Sequence, residues 1–147
     1  MELKCRRLLS ALMRFSMQLQ LSPAELESVR PVERNCSKHI SVVNDIYSFD
    51  KEVAAAKNAH KEGGALCSSV QIMAHEGDLT IAASKRVLWV LCREWELVHQ
   101  QLVAKREGDL KTASPVVSDY MKGLEYQMSG NRHWSHTTKR YSEVADF

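Results

Sequence analysis

Apolar residues along this chain recur three or four positions apart, and no sustained alternation of period two stands out. Leu8, Leu12, Phe15 and Leu19 open the pattern and predict a helix over residues 7–21. Ser22, Pro23 and Glu25 follow as an N-cap serine, a proline in the first turn and a glutamate at the third position. That is the signature of a capping box starting a short helix, which stops before Pro31. A long helix is predicted over residues 32–58, and Lys-Glu-Gly-Gly at 61–64 breaks it off. Residues 65–75 read as another helix, ended by Gly77. Residues 79–105 form a second long one, with Ile81, Leu88, Leu91, Trp95, Val98 and Leu102 close to a heptad. Ser114 caps a last helix, with Pro115 in its first turn and a bend at Ser129-Gly130. No alternating strand pattern, internal repeat or low-complexity segment interrupts this series. The pattern predicts an all-α fold, its helices packed as a bundle.

Residues 42–53 complicate the picture. With about 100° per residue and Asn44 at zero, Lys51 falls near −20°, Ser48 near 40° and Glu52 near 80°. Ser37 and Ser41 continue the same stripe. Ile40, Val43 and Tyr47 border it on one side; Val42, Ile46, Phe49 and Val53 border it on the other. A solvated helix face is not bordered by apolar residues on both flanks. If the flanks are buried the stripe is buried or lines a cavity, and a carboxylate there needs a cation. Three oxygen donors at i, i+4 and i+8 can converge on one hard cation such as Mg²⁺. Lys51 cannot ligate that ion but can meet a phosphate held by it. A plain hydrogen-bond network, with Glu52 paired to Lys51 or to an arginine elsewhere, satisfies the same spacing.

Composition changes the picture only by exclusion. At 147 residues the chain suits one domain that buries about 70% of its unfolded surface. A net charge of +2 is too small to argue for nucleic acid or an anionic membrane. No apolar run approaches the roughly 18 residues of a membrane span. The first 21 residues are amphipathic, carry Arg14 and lack a cleavage signal, so they do not read as a secretory leader. Cys5, Cys36, Cys67 and Cys92 are scattered without a CxxC, which suits reduced thiols and a cytoplasmic protein. His133 with His136, or Cys36 with His39, falls short of the four ligands of a structural zinc site. Trp89, Trp95, Cys67 and Cys92 read as core residues, and residues 105–111 as a solvated loop.

Asn-Asp-Ile-Tyr-Ser-Phe-Asp-Lys-Glu at 44–52 resembles the second metal-binding motif of class I terpene synthases in its fungal form. Trp-Ser-His-Thr-Thr-Lys-Arg-Tyr at 134–141 resembles the Arg-Tyr pair that closes fungal sesquiterpene synthases. The text between them is also similar, and the resemblance covers about 8–141. It implies a partial class I terpenoid synthase fold, with residues 1–147 as the C-terminal portion of one domain. It implies that Asn44, Ser48 and Glu52 bind one Mg²⁺ of a three-ion cluster. Lys51, Arg140 and Tyr141 would hold the diphosphate of farnesyl diphosphate, and Trp134 would offer an aromatic face to a carbocation. The implied activity is ionisation and cyclisation of that substrate, with release of diphosphate. The alternative is a non-catalytic helical protein that binds a partner chain or diphosphate without turnover.

Two features depart from the family. No aspartate-rich DDxxD run occurs, and Met-Glu-Leu-Lys-Cys-Arg-Arg stands where the family carries an Arg-Asp-Gly sensing element. The expectation is therefore a truncated or split chain, or one read from an alternative start. Its uncovered helices would expose more apolar surface than the few hundred Å² a monomer tolerates, and would favour a homodimer or aggregation.

Overall fold

The computed structural model describes residues 2–58, 68–109 and 114–142, with side chains at 8–57, 68–108 and 114–141. Seven helices are described: α1 (Glu2–Ser16), α2 (Pro23–Ser28), α3 (Arg30–Asn58), α4 (Ser69–Glu76), α5 (Ile81–Asp109), α6 (Pro115–Thr137) and α7 (Lys139–Ser142). No strand occurs among the described residues, as the periodicity requires. The Lys-Glu-Gly-Gly break, Cys67 and the side chain of Cys5 lie outside the described residues. No described helix is long and apolar enough to cross a membrane.

Several helix ends have local causes. Ser22 Oγ accepts from the Glu25 backbone, and the Glu25 carboxylate accepts from the Ser22 backbone at 2.8 Å, so the expected capping box is formed. These donors hold the Glu25 carboxyl below its ordinary value. α1 stops at Ser16, five residues short of the expected Leu21. Gln18 takes a left-handed φ of 55°, and Leu19 N–H donates to the Arg14 carbonyl while Gln18 N–H donates to that of Phe15. That is a Schellman closure with glutamine in the position glycine usually takes. Asp78, φ 48°, fills the same role after α4, whereas Gly77 keeps a negative φ. α6 runs through Ser129-Gly130 as one helix.

The chain divides into two compact units. One takes its residues from Met1–His39 and Trp95–Ser129, the other from Ile40–Glu94 and Gly130–Phe147. The first is built on Val29, Val32, Cys36, Val117, Tyr120, Met121, Leu124 and Met128, all buried. A Cβ on Gly123 would lie 2.6 Å from Met13 Sδ, so glycine there lets α1 and α6 approach closely. Burial pushes the Cys36 thiol up to about 12, with Glu33 adding to the shift, so this cysteine is an inert core residue. Cys92 is buried likewise in the second unit, as are Val42, Val43, Ile46, Phe49, Val70 and Leu88.

His99 is buried in the first unit, 2% exposed, and its ring nitrogens have no close hydrogen-bond partner. Burial lowers its imidazole from the ordinary value. Glu125 and the Met121 backbone pull the other way, and His39 and Lys122 reinforce the lowering. The unfolded chain therefore binds the proton more readily than the folded one. This group's contribution is present above about pH 6.5 and is lost as pH falls through that value toward the folded pKa. The urea midpoint is expected to fall between pH 7.5 and 5.5, and His99→Leu is expected to flatten that fall. An equal fall in the variant would assign it to other groups.

Candidate functional site

The polar stripe lies on one unbroken helix, α3. Of its flanks, Val42, Val43, Ile46 and Phe49 are buried, while Ile40, Tyr47 and Val53 are half-buried. Along the stripe Asn44 and Glu52 are half-buried, Ser48 is 5% exposed and Lys51 is exposed. Asp45, beside Asn44, is engaged elsewhere. Its carboxylate accepts from the Ser69 backbone at 2.8 Å and from the Ser69 hydroxyl at 2.5 Å, fixing the start of α4 against α3.

Ser48 Oγ is buried with no hydrogen-bond partner. A serine inside a helix commonly satisfies itself by donating to the carbonyl four residues back, as Ser37 does to Glu33 at 2.8 Å. Ser48 does not. An orphaned buried hydroxyl is destabilising unless something else coordinates it. Glu52 makes no ion pair among the described residues, so the network reading with Glu52 paired to Lys51 is not realised. The set offers an amide oxygen, a hydroxyl and a carboxylate, all hard donors suited to a divalent cation, and the residues fit such an ion.

The end of the chain reaches the same stripe. Thr138 separates α6 from α7; its N–H donates to the Trp134 carbonyl and its hydroxyl accepts from the Arg140 N–H. This turn carries α7 back over α3. Tyr141 Oη donates to Asn44 Oδ1 at 2.7 Å, and Lys51 Nζ donates to the Arg140 carbonyl at 3.3 Å. Burial raises the Tyr141 phenol from its ordinary value, Arg140 opposes this and Glu52 adds to it. The ring of Tyr141 stacks on Tyr47 at 6.4 Å and meets Trp134 edge-on at 5.8 Å. Asn44, Lys51, Arg140, Tyr141 and Trp134 are thus brought together by direct contacts, and Ser48 and Glu52 share their helix face. The Arg140 side chain is exposed, and Trp134 is 46% exposed.

Sequence reasoning missed several neighbours. Tyr47 is the hub of an aromatic group, with Trp89 at 5.8 Å and His136 at 6.3 Å, and the Arg132 guanidinium covers Trp89 at 5.2 Å. Asn131 Nδ2 and Ser135 Oγ, four residues apart on α6, are buried without a hydrogen-bond partner. Their i, i+4 spacing beside Trp134 was the available signal.

A family model described as terpene synthase family 2, C-terminal metal binding, matches residues 5–96. The chain is 61% identical over 142 residues to aristolochene synthase of Aspergillus terreus, covering 96% of this chain and 44% of that one. It is 56% identical over 137 residues to aristolochene synthase of Penicillium roqueforti, covering 93% and 40%. The crystal structure of aristolochene synthase from Penicillium roqueforti superposes with a TM-score of 0.80 at 53% identity, over 91% of this chain and 43% of that one. The chain spans less than half the length of the curated relatives it matches.

Proposed function

Because this chain belongs to terpene synthase family 2, we propose that it is the metal-binding portion of a sesquiterpene cyclase acting on farnesyl diphosphate, with aristolochene as the product of the whole fold. The observation that carries the reading is the buried, unpartnered Ser48 hydroxyl between Asn44 and Glu52, with Tyr141 anchored on Asn44. Asn44, Ser48 and Glu52 would hold Mg²⁺, and such an ion supplies positive charge that stabilises a departing diphosphate. Asn44 Oδ1 keeps a second lone pair beside the one that accepts from Tyr141.

The remaining roles belong to this chain's side chains. Lys51 and Arg140 bring two permanent cations to the rim of the stripe, and Tyr141 adds a neutral donor. Together they orient an anion toward α3. Tyr47, Tyr141 and Trp134 present apolar rings next to these donors. The rings border these donors on one side only, and Lys51 and Arg140 remain open to solvent. The exposed face of Trp134 can stabilise a carbocation by roughly 0.5–2 kcal/mol. Absence of a DDxxD run favours a second reading, a chain that binds diphosphate without turnover. Its cytoplasmic location stands as a proposal with these.

Titration calorimetry with inorganic diphosphate tests both readings. Binding is expected to be weak and to require Mg²⁺. Charge-assisted hydrogen bonds contribute roughly 1.5–3 kcal/mol, and tenfold in affinity is about 1.4 kcal/mol. Lys51→Ala or Arg140→Ala should therefore weaken binding about tenfold or more, and Tyr141→Phe less. Ser48→Ala separates site from scaffold. Replacing an orphaned buried hydroxyl by hydrogen should leave stability unchanged or raised, while Mg²⁺-dependent binding falls. Equal binding with and without Mg²⁺, or no loss in either charge variant, would refute the site.

A further inference from the structure

We infer that Tyr47 is the positioning residue that holds Tyr141, and α7 with it, over the polar stripe of α3 while the site is occupied. The inference rests on the proposed function of that stripe. Asn44, Tyr47 and Lys51 stand at i, i+3 and i+7, within roughly 60° of one another at about 100° per residue. All three meet α7. Asn44 Oδ1 accepts from Tyr141 Oη at 2.7 Å, and Lys51 Nζ donates to the Arg140 carbonyl at 3.3 Å. Between them the Tyr47 ring stacks on that of Tyr141, with centroids 6.4 Å apart and planes 21° from parallel.

A ligand acts differently on these contacts. A phenol has one proton, so Tyr141 cannot donate to Asn44 and to a bound anion at once. A cation on the Asn44 oxygen competes with that proton, and an anion competes with the Arg140 carbonyl for Lys51. Both hydrogen bonds that close α7 over α3 therefore weaken as the site fills. The ring stack uses no donor or acceptor and survives. Its separation lies within the range of about 4.5–7 Å over which aromatic rings attract. Tyr47 is itself braced: Trp89 on α5 meets its ring edge-on at 5.8 Å, His136 on α6 lies at 6.3 Å, and the Arg132 guanidinium covers Trp89 at 5.2 Å. All these residues belong to the second unit. A helix of four residues does not hold its own place, so the position of Arg140 and Tyr141 follows what the rings fix.

Calorimetry with inorganic diphosphate and Mg²⁺, together with NMR of the Asn44 side-chain amide, tests the assignment. Tyr47→Leu removes the ring and should weaken Mg²⁺-dependent binding about tenfold, while Tyr47→Phe keeps the ring and should restore it to within about twofold. Tyr141→Leu should also lose about tenfold, and the double variant no more than either alone, because Tyr47 acts through Tyr141. Additive losses near about a hundredfold, or an unchanged affinity in Tyr47→Leu, overturn the inference. The amide needs no ligand. In Tyr47→Leu its resonances should move to where Tyr141→Leu puts them, and a wild-type position overturns the inference. A wild-type chain that binds no diphosphate refutes the proposed function instead and leaves the amide to judge Tyr47. Far-UV circular dichroism verifies that the variants stay helical. Should Tyr47→Leu unfold, a nuclear Overhauser contact between the Tyr47 and Tyr141 rings of the wild-type chain with Mg²⁺ and diphosphate supports the inference, and its absence overturns it.

Discussion

Incubated alone with Mg²⁺ and farnesyl diphosphate, the chain is expected to form no sesquiterpene at a rate near the roughly 1 s⁻¹ at which enzymes usually begin. Ionising an allylic diphosphate separates a carbocation from a multiply charged anion. Opposite charges 4 Å apart attract by about 1 kcal/mol in water and about 4 kcal/mol at an effective dielectric of 20. Most of the stabilisation of the leaving group therefore depends on excluding water. Here Lys51 and Arg140 are exposed, Trp134 is 46% exposed, and the sequence supplies no aspartate-rich run for further metal ions. If these donors hold diphosphate as proposed, they are too open to solvent to drive its departure. Gas chromatography of a pentane extract decides the matter. A cyclised hydrocarbon formed at about 1 s⁻¹ or faster would show that the described stripe suffices, and would sink the account in which water exclusion limits the rate.

Tyr120→Ala is expected to be the most destabilising single change in the first unit, by about 3–5 kcal/mol. Tyr120 is fully buried on α6. Its hydroxyl donates to Glu33 on α3 and accepts from Arg14 on α1, so one ring and one oxygen join three helices. Burial, reinforced by Glu33, pushes the phenol up to about 12, so it is neutral and a full donor at every pH of interest. Alanine would leave a cavity where a fully buried ring stood and strand the half-buried Glu33 carboxylate beside Arg14. In a chain this long the loss corresponds to a fall in Tm on the order of 10 °C. Tyr120→Phe keeps the ring and strands only the partners, at about 1–3 kcal/mol. Urea denaturation of the two variants checks the order. A phenylalanine variant as unstable as alanine would shift the weight from packing to the hydrogen bonds.

The type of the helices was legible in the sequence because a 3.6-residue apolar period admits no strand, whereas the four-residue α7 is too short to show a period and was not expected. Ser22 to Glu25 announced their cap because a capping box is a local device, closed within four residues. The end of α1 was not legible. A left-handed glutamine has no strong sequence signal, and the apolar series runs on to Leu19 past the point where the Schellman closure stops the helix. The stripe on α3 could be placed on one face from spacing alone, since 100° per residue fixes which side chains align. Spacing could not show that Ser48 forgoes the carbonyl of its own helix, nor that Asp45 turns aside to hold Ser69 while Asn44 receives Tyr141.

Periodicity by itself determined the all-helical content, the polar row Asn44, Ser48 and Glu52, and the apolar row Leu8, Leu12 and Phe15. Tertiary structure alone decided which row is enclosed. Both rows obey the same helical geometry, but one meets the Thr138 turn and the aromatic rings carried back by α7, while the other stays exposed on α1. Helical spacing is a property of neighbours in the chain. Burial is a property of whatever surface arrives from residues far away, and no local pattern encodes that arrival.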